Sequence, residues 1–201
     1  MPTRESTSTR VRILEAAERL MRTIGLARTT TKEIARAAGC SEAALYKHFS
    51  SKEDLFVRVL EERLPNLGPL LAELTADPRG RTVEQCLIDI TRTATLFYES
   101  SVTIAASLFA EPALLERHRE AVRVMGVGPH MPLLALARYL RTERDHGRIR
   151  AEADPEAAAE LLLGACFQQA FFSQFMGEDI APGRLDDFAA GVARTVLAGI
   201  A

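Results

Sequence analysis

TTTKEIARAAGCSEAALYKHFSSK, residues 29–52, decides how the rest of the chain is read. Thr30 with Glu33 three positions later fits a capping box, in which two side chains take up orphan amides at a helix start. Ile34, Ala37 and Ala38 fall on one side of the helix that follows. Gly39 stands where the chain must turn, and positive φ is open to it without steric penalty. Ser41 is a natural N-cap for a second helix over residues 42–49. Ser50 with Glu53 reads as another capping box, opening a third helix over residues 52–64. Two short helices joined by a tight glycine turn make a helix-turn-helix, whose second helix can lie in the DNA major groove.

Upstream, residues 1–9 are polar, rich in Ser and Thr, and carry Arg4, as in a mobile arm. Thr9 is placed to cap a helix reaching residue 24, with Val11, Leu14, Ala17, Leu20, Met21 and Ile24 as its apolar stripe. Gly25 ends it. This helix is the expected support of the two that follow, giving a three-helix module.

Residues 34–56 closely resemble the DNA-binding domain of the TetR family of bacterial transcriptional regulators. The resemblance is carried by Thr29-Thr30-Thr31 before the first short helix and by Ala38-Gly39-Cys40-Ser41 at the turn. Leu45-Tyr46-Lys47-His48-Phe49 and Lys52-Glu53-Asp54-Leu55 follow at the family's spacing. It implies a regulator that binds a double-stranded DNA operator. By position, Thr30, Thr31, Tyr46 and Lys52 then look like phosphate contacts, which position the protein without reading sequence. Ser41 at the turn joins this DNA-binding set. Glu42, Ala43, Ala44, Lys47 and His48 are the candidates facing bases. Lys47 can donate to guanine, and Ala43 or Ala44 can touch a thymine methyl. Glu42 either accepts from cytosine N4 or favours the positive end of its helix. His48 either faces a base or sits at the surface, bonded to phosphate or solvent. Leu45 and Phe49 read as core.

The 201 residues have a formal net charge of −2, which argues against an indiscriminate DNA-coating or architectural protein. The distribution is uneven. Residues 1–52 hold ten Lys/Arg against five Asp/Glu, a net of +5, and the remainder, 15 against 22, is −7. Attraction for phosphate is therefore confined to one end. Cys40, Cys86 and Cys166 are far apart and lack metal-ligand spacing, so small apolar filling is their expected role. Cys40 lies in the turn, and a thiol-redox regulator acting through it is the alternative reading. Without a signal peptide or an 18-residue apolar span, the chain reads as cytoplasmic, with no membrane partner.

The body reads as all-α. Residues 65–80 hold three prolines and two glycines, a broken and partly helical connection. Thr82 with Gln85 is another capping box, opening a helix to about residue 100. Helical pieces over 102–109 and 114–125, a breaker at 126–132, and a helix over 133–146 closed by Gly147 come next. Asp154-Pro155 starts a helix over 155–176 that is apolar most of the way round, from Leu161 to Phe175. Such a helix needs cover on both sides, which implies a partner subunit. The last helix spans 185–200. The resemblance makes 155–176 and 185–200 the homodimer interface, with residues 1–52 as the DNA-binding domain, 52–64 as a linking helix and 65–201 as the effector-binding and dimerisation domain. It also implies an unidentified small-molecule effector. Phe97, Phe109, Met125, Met131, Phe167 and Phe171 are candidate pocket walls, and Tyr98, His130 and Gln168 candidate polar handles. No catalytic residue, metal site or cofactor is indicated: His118, His130 and His146 are scattered, and no nucleophile elbow or phosphate-binding glycine loop occurs. The expectation is a ligand-released repressor and not an enzyme.

Overall fold

The structure is a computed structural model that describes residues 8–62, 67–76 and 80–200. Among the described residues it contains ten helices and no strand. Contacts divide the chain into two compact units, Met1–Leu64 with Thr103–Gly126, and Pro65–Val102 with Val127–Ala201.

The first unit begins with α1 (Thr9–Arg28). Ser8, one residue before the expected cap, accepts from the Val11 amide at 3.3 Å. Gly25 takes φ +79° and interrupts the helix, which resumes for one short turn to Arg28. Its neighbour Leu26 donates its amide to Ser107 Oγ at 3.0 Å, so a side chain from another helix satisfies the amide exposed by the break. Next come α2 (Thr31–Ala37), α3 (Glu42–Tyr46) and α4 (Lys52–Glu62). The second short helix thus stops three residues before the expected residue 49, with Lys47 as its C-cap. The start of α4 is also displaced. Ser51 Oγ accepts from the Asp54 amide at 3.0 Å, while the Asp54 carboxylate accepts from the Ser50 amide at 2.8 Å. Ser51 thus caps the helix, while the return bond from Asp54 reaches Ser50 and not Ser51, so no reciprocal box closes, and Glu53 pairs elsewhere. Residues 63 and 64 of the expected helix lie outside the described residues.

α7 (Pro112–Met125) completes this unit, starting at Pro112 and ending on Gly126 at φ +66°. Its Arg117 Nε donates to Glu53 Oε1 on α4 at 3.2 Å, and its His118 ring lies 4.8 Å from the Phe56 ring. The core joins Ile13, Leu14, Ala17 and Met21 of α1 to Ile34, Leu45, Phe49, Leu55 and Phe56.

The second unit holds α5 (Leu67–Ala76), α8 (Met131–Asp145), α9 (Pro155–Met176) and α10 (Pro182–Ile200). α5 is regular through Gly68 and Pro69, because a proline in the first helical turn breaks no internal bond. α6 (Val83–Phe109) is one helix of 27 residues, where a break near residue 101 was expected, and its residues contribute to both units. Thr82 and Gln85 cap it reciprocally, at 3.0 and 3.1 Å. α8 packs on α9 and α5, and Tyr139, Leu140, Leu162, Leu163 and Cys166 are fully enclosed. Asp154 caps α9 by accepting from the Glu156 and Ala157 amides at 3.1 and 3.0 Å. Beyond Gly177, the Glu99 carboxylate accepts from Ser173 Oγ at 3.2 Å and from the Ile180 amide at 3.3 Å, pinning the loop that follows.

Candidate nucleic-acid interface

α3 is only five residues long, too short to be stable alone, so its placement comes from what it buries. Leu45 is fully enclosed and Phe49 nearly so, anchoring the helix and the turn after it to α1, α2 and α4. The opposite side is open. Glu42, Ala43, Tyr46, Lys47 and His48 are exposed, Ser41 is exposed beside them, and Ala44 is half-buried. Ser41 caps the helix, accepting from the Ala44 amide at 3.1 Å, so its side-chain oxygen is engaged by the fold. The turn before it is fixed from behind: Arg12 Nε on α1 donates to the Ala38 carbonyl at 3.1 Å. Arg10 reaches Glu62 with both terminal nitrogens at 2.5 Å and lies 5.4 Å over the Phe49 ring. These two arginines support the motif without belonging to it. The only sequence signal for them was two cations on a helix already assigned a supporting role.

The hydroxyls before and within the motif are largely committed. Thr30 Oγ1 accepts from the Glu33 amide at 3.2 Å and donates to Glu33 Oε2 at 2.8 Å, while that carboxylate also takes the Thr30 amide at 3.0 Å. These bonds from the Thr30 side chain and backbone hold the Glu33 carboxyl below the usual carboxylate range. Thr31 Oγ1 donates to Glu42 Oε1 at 2.5 Å and lies 3.4 Å from the Tyr46 hydroxyl, which donates to it. A hydroxyl has one proton, so Thr31 gives its own to Glu42. Both hydroxyl protons are thereby committed to carboxylates, so the two threonines are organisers of the surface and reach a phosphate through their hydroxyls only by giving those bonds up. Tyr46, half exposed, can turn its hydroxyl outward.

Lys52 opens α4 and is half-buried. Burial pushes its ammonium below the ordinary lysine value of 10.5, Glu53 draws it back up, and Arg117 lowers it again. It lies close enough to a second cation, Arg117, to feel its charge, and an approaching phosphate would offset both.

The structure brings only part of the expected effector wall together. Tyr98 meets Phe97 and Phe167 edge-on, with ring centroids 5.4 and 5.6 Å apart. Burial pushes the Tyr98 hydroxyl up to about 12, with the neighbouring Cys166 adding to it. Phe171 stacks on Phe175 at 5.9 Å along the open side of α9. Gln168, His130 and Met131 are exposed. Phe109 and Met125 belong to the other compact unit, and Phe109 is 73% exposed. None of the nine lines the groove between α9 and α10 or the groove between α5 and α8. The larger, of about 660 Å³, lies between α9 and α10 against Arg150, Asp154, Leu161, Phe188, Val192 and Val196. The smaller, of about 390 Å³, lies between α5 and α8. Among the described residues no cluster of His, Cys, Asp or Glu is arranged to hold a metal, and no helix is long and apolar enough to cross a membrane.

Two sequence profiles match the chain: "Bacterial regulatory proteins, tetR family" over residues 13–59, and "AefR-like transcriptional repressor, C-terminal domain" over residues 104–199. The HTH-type transcriptional regulator YvkB of Bacillus subtilis (strain 168) is 29% identical over 150 residues, 75% of each chain. The HTH-type transcriptional regulator AcrR of Shigella flexneri is 42% identical over 72 residues, 36% of this chain and 34% of AcrR, so that likeness spans about a third of the relative. A solved structure of a TetR-family transcriptional regulator from Mesorhizobium loti MAFF303099 superposes with a TM-score of 0.73 at 22% identity, covering 96% of both chains. At that identity the superposition establishes the fold.

Proposed function

Since the chain belongs to the TetR family of bacterial transcriptional regulators, we propose that it represses transcription by binding a palindromic operator as a homodimer and leaves that operator when a small-molecule effector binds. One observation carries the DNA-binding half. α3 turns Leu45 into the core and Glu42, Ala43, Tyr46 and Lys47 outward, so one face is anchored and the other is free for a groove. In this reading Thr30, Thr31, Tyr46 and Lys52 position the module on phosphates, and Glu42, Ala43, Ala44, Lys47 and His48 meet base edges.

The homodimer reading is supported by α9. Leu161, Phe167, Phe171, Phe172, Phe175 and Met176 are all exposed, a larger apolar face than a lone soluble chain ordinarily leaves in water. A second copy meeting it through α9 and α10 would cover these groups. Twofold symmetry would place two copies of α3 one helical turn of DNA apart, about 34–36 Å, or a multiple of that. Residues 1–52 then serve DNA binding, 52–64 link, and 65–201 serve effector binding and dimerisation. The aromatic group of Phe97, Tyr98 and Phe167 is where we place one wall of the effector site.

The assigned role requires no catalysis and no cofactor, and places the protein with the chromosome in the cytoplasm. Cys40 packs against the core of its unit, which favours a filling role over redox sensing. Selection of bound duplexes from a random pool tests the reading. Enrichment of an inverted repeat is expected, bound as a dimer. No enrichment over random DNA at fixed salt would remove it.

A further inference from the structure

The geometry points to Glu42 as a base-reading residue that selects cytosine at one position of each half-site, with Thr31 as its positioning residue. This rests on operator binding through α3. Three observations meet here. Glu42 is exposed on the open face of α3, beside Ala43 and Lys47. Its Oε1 is held by the Thr31 hydroxyl at 2.5 Å, and Thr31 Oγ1 in turn accepts from Tyr46 at 3.4 Å. Among the described residues this Thr31 bond, through Oε1, is the one polar contact of the carboxylate, and no Lys, Arg or His pairs with it. An exposed carboxylate on the face that meets a polyanion is unfavourable unless it gains something there. Glu42 is fixed in direction by a neighbour that does not neutralise it, and it keeps one oxygen free.

A carboxylate can only accept hydrogen bonds. Among major-groove edges, guanine offers N7 and O6, both acceptors, and thymine offers the O4 acceptor and a methyl group. Adenine offers a donor beside its N7 lone pairs, which repel the carboxylate. Cytosine offers the N4 amino group with no acceptor on its own edge. The free oxygen of Glu42 therefore matches cytosine and disfavours the other three bases. Tyr46 can leave Thr31 for a phosphate without disturbing the Thr31–Glu42 bond, so positioning and reading use different members of one chain of hydroxyls.

Selection from a random duplex pool with wild type, Glu42→Ala and Glu42→Gln tests the assignment. Wild type is expected to enrich a cytosine at one position per half-site, with substitution there weakening binding about tenfold or more. Glu42→Ala should lose that preference alone and keep the others, which also shows that the variant is folded. Glu42→Gln should move the preference to adenine, because an amide can both accept from N6 and donate to N7. Thr31→Val should blunt the cytosine preference. A Glu42→Ala pool identical to wild type at every position overturns the assignment and leaves operator binding standing. A wild-type pool without any enriched half-site overturns both.

Discussion

Arg117 Nε on α7 donates to Glu53 Oε1 on α4 at 3.2 Å, directly beside Lys52. The pair is asymmetric: the Arg117 side chain is largely exposed, whereas that of Glu53 is mostly covered. Solvent screening weakens the attraction from the arginine side, so Arg117→Ala should lower unfolding stability by only about 0.5–1 kcal/mol. Chemical denaturation of Arg117→Ala, Glu53→Gln and the double variant checks this. The double variant should lose less than the sum of the two single losses.

His118 lies on the same helix, with its ring against Phe56 and a buried Nδ1 that has no hydrogen-bond partner among the described residues. Burial lowers its imidazole below the ordinary value of 6.5, and Glu53 only partly offsets this. The unfolded chain therefore binds this proton more readily than the folded one. Stability should fall as pH drops through 6.5 toward the lowered value, and rise again on return to neutral pH. Denaturation curves at several pH values should show this slope, and His118→Phe should flatten it.

Gly25 takes φ +79° and ψ 157°, backbone space that is essentially reserved for glycine. A Cβ there would also meet Ser107 Cβ at 3.3 Å, close enough to require a local shift. Gly25→Ala should destabilise the first unit by about 2 kcal/mol. The midpoint of thermal unfolding is the measurement.

Lys52→Ala should weaken binding to operator and random duplex alike, and reduce the salt slope of log Kd by about 1. Thr30→Ala should behave differently. Losing a cap costs about 1 kcal/mol of stability, because the Glu33 amide loses its acceptor. Salt titrations separate the two outcomes: an unchanged slope in Lys52→Ala would remove that residue from the phosphate contacts.

Phe172 and Phe175 lie on the exposed side of α9, Phe175 at 76% exposure. Replacing both with Glu should leave each chain folded and abolish the proposed homodimer. Sedimentation velocity reads the mass directly, and a double variant that still sediments as a dimer would place the interface elsewhere.

Much of this architecture was readable because its signals were local and chemically explicit. The boxes at Thr30–Glu33 and Thr82–Gln85 form as the spacing implies. The expected Ser50–Glu53 box gives way to Ser51 capping the Asp54 amide, because Ser51 and Asp54 repeat the same spacing, and Glu53 bonds Arg117 instead. α6 runs unbroken past residue 101 because serine is a weak helix breaker, and Ser101 is buried in the helix. The effector wall was the least legible part. A pocket is space left between side chains, and the residue types suited to lining one also pack on one another, as Phe97, Tyr98 and Phe167 do, so sequence alone does not separate wall from filling.

The aromatic face of α9 also ties the amount of protein to its durability. If association is what covers Phe171, Phe172 and Phe175, each chain is held folded partly by its own abundance, and melting temperature should climb with concentration. Dilution of such a regulator would lower its melting temperature and its operator occupancy together, so clearance of the operator would follow growth alone, without any ligand.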